Sequence, residues 1–151
     1  AHINLAKGFR GGERQTGLLI DSLAETYPLL KQSLIVRHDS PLPSRLKNLG
    51  KVNLIEVSKP YLIYALFIKE HFDIIHAHEA KACHFAHVLS KKTKCIYTIT
   101  RRMDRTPKND WFTRKVYEEC THIVCLSSAI ETIIKQYNPN SNVSIIPSMK
   151  A

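Results

Sequence analysis

The sequence predicts a doubly wound α/β fold built on a mostly parallel sheet, and three observations carry that prediction. Apolar runs of strand length alternate with segments of helical period along all 151 residues, the order that generates βαβ crossovers. The runs IIHA, CIYTI and HIVCL are apolar on both sides, as strands covered on both faces must be. The connections carry turn residues: Pro28, Pro41, Pro43, Gly50, Pro60, Pro107 and Asn138–Pro139.

Taken in order, the first strand is Ile3–Ala6, whose apolar run breaks into a glycine pair that opens an amphipathic helix over Glu13–Glu25. Strands follow at Ser33–Arg37, Asn53–Val57, Ile74–Ala77, Cys95–Thr100, His122–Leu126 and Val143–Ile146. Helices are predicted over Ser44–Leu49, Tyr61–Glu70, Ala82–Ser90, Asp110–Cys120 and Ile130–Tyr137. Right-handed crossovers then require helices on both faces of a Rossmann-like sheet, with ligands bound beyond the carboxyl ends of the strands. Those ends are the loops after Ala6, Ala77, Thr100 and Leu126.

A chain of this length and 44% hydrophobic content builds one core, so one domain over residues 1–151 is expected. The longest apolar stretch, Tyr61–Ile68, is too short to span a bilayer and reads as a buried helix. The start resembles no signal peptide; it begins inside a strand pattern, as though a few residues preceded it. Cys83, Cys95, Cys120 and Cys125 lack CxxC spacing and read as small core residues of a protein in a reducing, cytoplasmic compartment. The net charge of +9 implies an acidic partner: anionic lipid, phosphorylated sugar or nucleic acid.

Gly11 and Gly12 stand where the first helical turn has free N–H groups and a partial positive charge, and Lys7, Arg10 and Arg14 surround them. A phosphate-facing loop and a plain βα turn both fit. The spacing GFRGGE does not match the dinucleotide fingerprint GxGxxG, and no acidic residue closes the second strand, so a nicotinamide enzyme is disfavoured; nor is there a Walker GKS/T. In FDIIHAHEAKACHFAH, His76 and His78 project to one side of a strand end, with Glu79, His84 and His87 nearby. No HExxH or HxHxDH pattern is completed and no metal is expected, although a metallohydrolase using His76, His78 and Glu79 is a rival reading. His78 and Glu79 suit hydrogen bonding to a polar substrate, and equally a histidine satisfied at a βα turn.

The segment TRRMDRTPKNDWFTRK gathers Arg101, Arg102, Arg105, Lys108, Arg114 and Lys115, with Asp104 and Asp110 as its acids. Guanidinium groups grip phosphate or carboxylate in bidentate fashion. A nucleic-acid-binding or anion-binding module without catalysis is therefore the alternative function, though Trp111 and Phe112 suit core or membrane-interface positions better than base stacking. In CLSSAIE, Ser127 or Ser128 can cap the last helix with Glu131 as the capping-box partner of Ser128; without a GxSxG elbow these serines are not read as nucleophiles.

The order of these pieces resembles the N-terminal domain of family 4 glycosyltransferases, retaining enzymes of the two-domain GT-B type: a GGxE loop and helix, a DIIHAHE strand, a basic TRRMD strand end, an IVCLSSAIE strand and helix, and a SIIPS strand. The RRMD variant and the basicity look most like enzymes of lipopolysaccharide and cell-envelope glycan assembly. The resemblance implies a nucleotide-sugar donor whose diphosphate lies at Gly11, Gly12 and Glu13. It implies an envelope glycolipid or glycan acceptor contacted by His78, Glu79, Thr100, Arg101, Arg102 and Asp104. Thr100 occupies the position where many relatives carry a catalytic histidine, so no catalytic residue is assigned. The nucleotide sugar is a substrate, and neither a cofactor nor a metal is implied. SIIPS matches the crossover into a second, nucleotide-sugar-binding domain that these residues do not contain, so the chain alone is expected to fold without turning over. A cytoplasmic protein in peripheral contact with an anionic membrane leaflet is expected, with no specific nucleic-acid partner.

Overall fold

The computed structural model describes residues 1–149, so residues 150 and 151 of the predicted domain lie outside the described residues. Seven strands form one sheet: β1 (His2–Asn4), β2 (Gln32–Arg37), β3 (Val52–Val57), β4 (Ile74–Ala77), β5 (Ile96–Arg101), β6 (His122–Cys125) and β7 (Val143–Ile145). All neighbours pair in parallel, in the order β3-β2-β1-β4-β5-β6-β7. The strands agree with the predicted set to within two residues at each end, and the Rossmann-like α/β class is the one observed.

Five helices connect them: α1 (Gly11–Thr26), α2 (Tyr61–Phe67), α3 (Ala80–Thr93), α4 (Trp111–Glu119) and α5 (Ser128–Tyr137). Strand parity sorts their contacts. Ile3, Leu5, Ile75, Ala77, Tyr97, Ile99, Ile123 and Cys125 meet α2, α3, α4 and α5 in the main core, around Phe85, Leu89, Val116 and Ile134. Leu34, Val36 and Val52 meet Ile20 of α1, with Leu42 and Leu46, in a smaller core on the opposite face. Both faces are covered as predicted, but the second carries a single α-helix. The right-handed crossover rule explains this: only the β1→β2→β3 connections run in the direction that places chain there.

Several local expectations are corrected. The helix predicted over Ser44–Leu49 is absent; two short 3-10 turns, Pro43–Arg45 and Leu49–Lys51, replace it. Prolines at its front and so short a span disfavour an α-helix, and Asp21 of α1 takes the backbone N–H groups of Lys47 (3.1 Å) and Asn48 (2.9 Å). The apolar stretch 61–68 is not a buried helix: of α2 only Ala65 is buried. The glycine pair lies inside the first turn of α1, because Glu13 caps Arg10 N–H at 2.9 Å and draws the helix start back to Gly11. Ser127, not Ser128, caps α5 by accepting from Ile130 N–H, so the Ser128–Glu131 capping box does not form. Cys83 and Cys125 are buried as expected, Cys95 and Cys120 only partly; all four are free thiols, and burial pushes those of Cys83 and Cys120 up to about 12. Among the described residues no helix is long and apolar enough to cross a membrane.

Asp21 fastens the irregular 42–51 segment to α1 and also accepts from Asn48 Nδ2 at 3.3 Å. Asp21→Ala leaves two part-buried backbone donors without their acceptor and should lower stability by about 1 kcal/mol in urea titration, with Asp21→Asn showing part of that loss.

Candidate functional site

The strand order reverses between β1 and β4, and no helix crosses that point, so a crevice opens beyond their carboxyl ends. Glu79, two residues past β4, closes its floor. Its Oε1 accepts from Leu5 N (2.9 Å) and Ala82 N (2.7 Å) and its Oε2 from Lys81 N (2.7 Å), tying the end of β1 to the first turn of α3. Burial pushes the carboxyl above its ordinary value against the pull of those N–H groups.

One wall is the N-terminus of α1. Gly11 is exposed with no chain atom within 4 Å of where a Cβ would stand, and the nearest atom to such a Cβ on Gly12 is Arg102 Cδ at 3.8 Å. No glycine among the described residues has positive φ. Neither backbone conformation nor internal packing therefore requires glycine at these positions. Glu13 is buried behind them, with Oε2 on Arg10 N–H and Oε1 at 3.5 Å from Asn4 Nδ2. Asn4 Nδ2 also donates to Thr16 Oγ1 at 3.1 Å.

The opposite wall is Arg102, which donates from Nη1 to the His78 carbonyl at 2.7 Å and so bridges β5 to β4 beside the glycine pair. Its Nε is buried without a partner, and burial lowers its pKa while Glu13 raises it. Arg101 points the other way: it is buried, donating from Nη1 to Tyr117 OH at 3.3 Å and from Nη2 to the Arg105 carbonyl, which fastens the 101–105 loop. Asp104 is exposed on that loop.

Below the crevice runs a relay of buried imidazoles. The Gln32 amide is oriented by donating from Nε2 to the Ile20 carbonyl at 3.0 Å, so its Oε1 accepts from His2 Nε2–H at 2.8 Å. His2 Nδ1 is then the acceptor for His78 Nε2–H at 3.1 Å, which leaves His78 Nδ1 a buried lone pair with no partner. The His76 ring stacks 4.0 Å from His78, and its Nε2 lies 2.6 Å from Thr100 Oγ1.

The structure thus brings Gly11, Gly12, Glu13, His78, Glu79 and Arg102 around one crevice, with Thr100 beneath it through His76; it turns Arg101 away. His84 and His87 leave the group as well, bonding Thr113 Oγ1 (3.1 Å) and Tyr97 OH (3.1 Å). The spacing suited to a metal ion belongs instead to His2, His76 and His78, whose nitrogens lie within 4.8 Å of one another. In the structure they bond to each other, to Gln32 and to Thr100. His2 and Gln32 escaped the sequence reading. The available signal was the polar alternation of His2 and Asn4 inside an apolar strand, which repeats in His76 and His78.

The parallel sheet with its switch point between β1 and β4 defines a Rossmann-like α/β domain. The chain belongs to Glycosyltransferase Family 4, whose sequence model matches residues 20–149. It is similar in structure to Anabaena HepE in complex with UDP (TM-score 0.74, 15% identity, 99% of this chain and 43% of that one). It is also similar to HepE with UDP and glucose (0.70, 14%, 99% and 44%) and to WaaB, a lipopolysaccharide outer core galactosyltransferase in its apo form (0.70, 12%, 99% and 45%). The chain therefore spans less than half the length of these proteins. No curated protein sequence matches it.

Burial depresses the imidazoles below their ordinary 6.5: His2 to about 4, His76 to about 3, and His78 well below. The unfolded chain then binds more protons as pH falls below 6.5, so this contribution is complete above that pH and is lost progressively toward pH 4. The urea midpoint should drop steeply between pH 7 and pH 4.5, and His78→Asn should flatten the slope by about one proton. A midpoint independent of pH contradicts the relay.

Proposed function

We propose that this chain is the acceptor-side domain of a retaining, metal-independent glycosyltransferase that moves a sugar from a nucleotide donor to an envelope glycolipid or other glycan. The observation that carries the reading is the glycine pair of α1. Two glycines in a helical first turn weaken helix propensity, and nothing within the fold requires them; space kept clear beside free N–H groups fits a ligand's approach. A donor diphosphate there would meet the positive end of α1 and the guanidinium of Arg102. Both stabilise the negative charge that grows on the phosphate as the sugar departs.

Glu13, Glu79 and Arg101 have their side chains occupied by internal bonds, so they act as walls of the site. Acceptor contacts fall to Arg102, to Asp104 and to the backbone beside His78. The HepE structures hold UDP or UDP-glucose, which supports a nucleotide-sugar partner. Transfer needs the donor clamped on its far side, so turnover is assigned to a longer protein in which a second domain supplies the nucleotide pocket. The protein acts on the inner face of the membrane as a peripheral enzyme.

In the full-length gene product, Gly11→Val and Gly12→Val should each raise the donor KM by about tenfold or more while leaving the unfolding free energy within about 1 kcal/mol of wild type. Arg102→Ala should lower kcat by about 100-fold. Unchanged kcat/KM in the valine variants would remove the donor from this loop.

A further inference from the structure

The chain that leaves β7 is fastened to α1 by one side chain. The sheet ladder ends where Ile146 N donates to the Cys125 carbonyl at 2.9 Å, and Pro147, next in line, has no N–H with which to extend it. Pro147, Ser148 and Met149 are exposed. Beyond them the half-buried Gln15 takes hold of Met149, whose N–H donates to Gln15 Oε1 at 2.7 Å and whose carbonyl accepts from Gln15 Nε2 at 2.9 Å. A primary amide presents a donor and an acceptor side by side, so it engages both main-chain groups of one residue as a neighbouring strand would.

Position gives this clasp its meaning. Gln15 follows Gly12 by three residues and Gly11 by four, so it shares their face of α1, one turn from the free N–H groups. β7 is an edge strand, and β4, β5 and β6 stand between it and β1, from which α1 departs. The segment 146–149 therefore turns inward along the carboxyl edge of the sheet, toward the helix that walls the crevice. Both bonds to Met149 are exposed to water, where a hydrogen bond adds little to folding, and the main core closes without either residue. What the clasp fixes is the place and direction from which the chain after Met149 sets out.

We propose that Gln15 is a positioning residue: its clasp on Met149 orients the following domain against the helix terminus at Gly11 and Gly12, so that the two halves of the donor site meet in register. The proposal rests on the reading above, in which a second domain of a longer protein supplies the nucleotide pocket. A connection left free after Ile146 lets that domain sample many orientations, and the apparent donor affinity then falls by the fraction of molecules that are correctly arranged. The clasp raises that fraction before the donor arrives, and it touches no reacting atom. Because it has two ends, removing either one abolishes it, whereas a direct donor contact by Gln15 is indifferent to Met149.

The test uses the full-length gene product as wild type, Gln15→Met, Met149→Pro and the double variant, with UDP-glucose, the ligand of one HepE structure, as the first donor probe. Hydrogen exchange should show the Met149 amide protected in wild type and released in Gln15→Met, while Gln15→Glu, which keeps acceptor oxygens for that N–H, restores protection. Each single variant should raise the donor KM about tenfold with kcat within about twofold of wild type, and the double variant should be no worse than either. The unfolding midpoint should stay unchanged in all of them; a merely structural role would move it. A KM raised by Gln15→Met but not by Met149→Pro makes Gln15 a donor contact and overturns the proposal. Single-variant effects that add overturn it too, as does a freely exchanging Met149 amide in a wild type that transfers sugar; in all three cases the transferase reading stands. A wild type that neither binds nor turns over UDP-glucose or the other common nucleotide sugars removes that reading and the proposal with it.

Discussion

A parallel sheet that changes winding direction leaves a gap that no helix can cover, and the chain must close it with side chains. Here the closure is the carboxylate of Glu79. It collects one backbone N–H from the end of β1 and two from the first turn of α3, groups that neither element can satisfy alone. Everything placed at the crevice depends on this tie. It sets the end of β1, from which the loop to Gly11 and Gly12 departs, and it sets the end of β4, whose His78 carbonyl receives Arg102.

The polar content of the fold divides along the same line. Beneath the tie, Gln32, His2 and His78 form a sequence of donors and acceptors that holds His2 neutral and ends at the unpartnered His78 Nδ1. Above it, the charged groups are sorted by direction. Arg101 is consumed in holding its own loop, Arg102 lies across the crevice, and Lys59, Lys69 and Lys81 are exposed. The net charge of +9 is therefore not one feature with one purpose. Arg102 reaches the glycine pair from β5, beside Arg10 and Arg14 of the pair's own segment, while Lys59, Lys69 and Lys81 are exposed elsewhere on the surface.

The sheet was legible because its strands announce themselves: IIHA predicts Ile74–Ala77 to the residue, and the turn residues bracket nearly every element. The crevice was legible because topology alone locates it and the GG, HE and RR pairs fall at the strand ends. What was hidden depends on register and facing, which periodicity does not report. That His2 lies opposite His76 follows from strand pairing 74 residues apart, and so the imidazole relay was invisible. Arg101 and Arg102 are adjacent and chemically identical; strand alternation sends one into the core beside Tyr117 and the other toward Gly12. Tyr61–Ile68 misled because an apolar run reads as buried whether the fold or something outside it does the burying.

The central claim is that Glu79, by tying the end of β1 to the first turn of α3, builds the crevice. Urea unfolding of Glu79→Ala and Glu79→Gln tests it most directly. The account predicts a loss of about 3 kcal/mol for alanine, from three donors left without their acceptor, and a smaller loss for glutamine, whose amide oxygen still reaches part of the set. Alanine and glutamine variants as stable as wild type would contradict it.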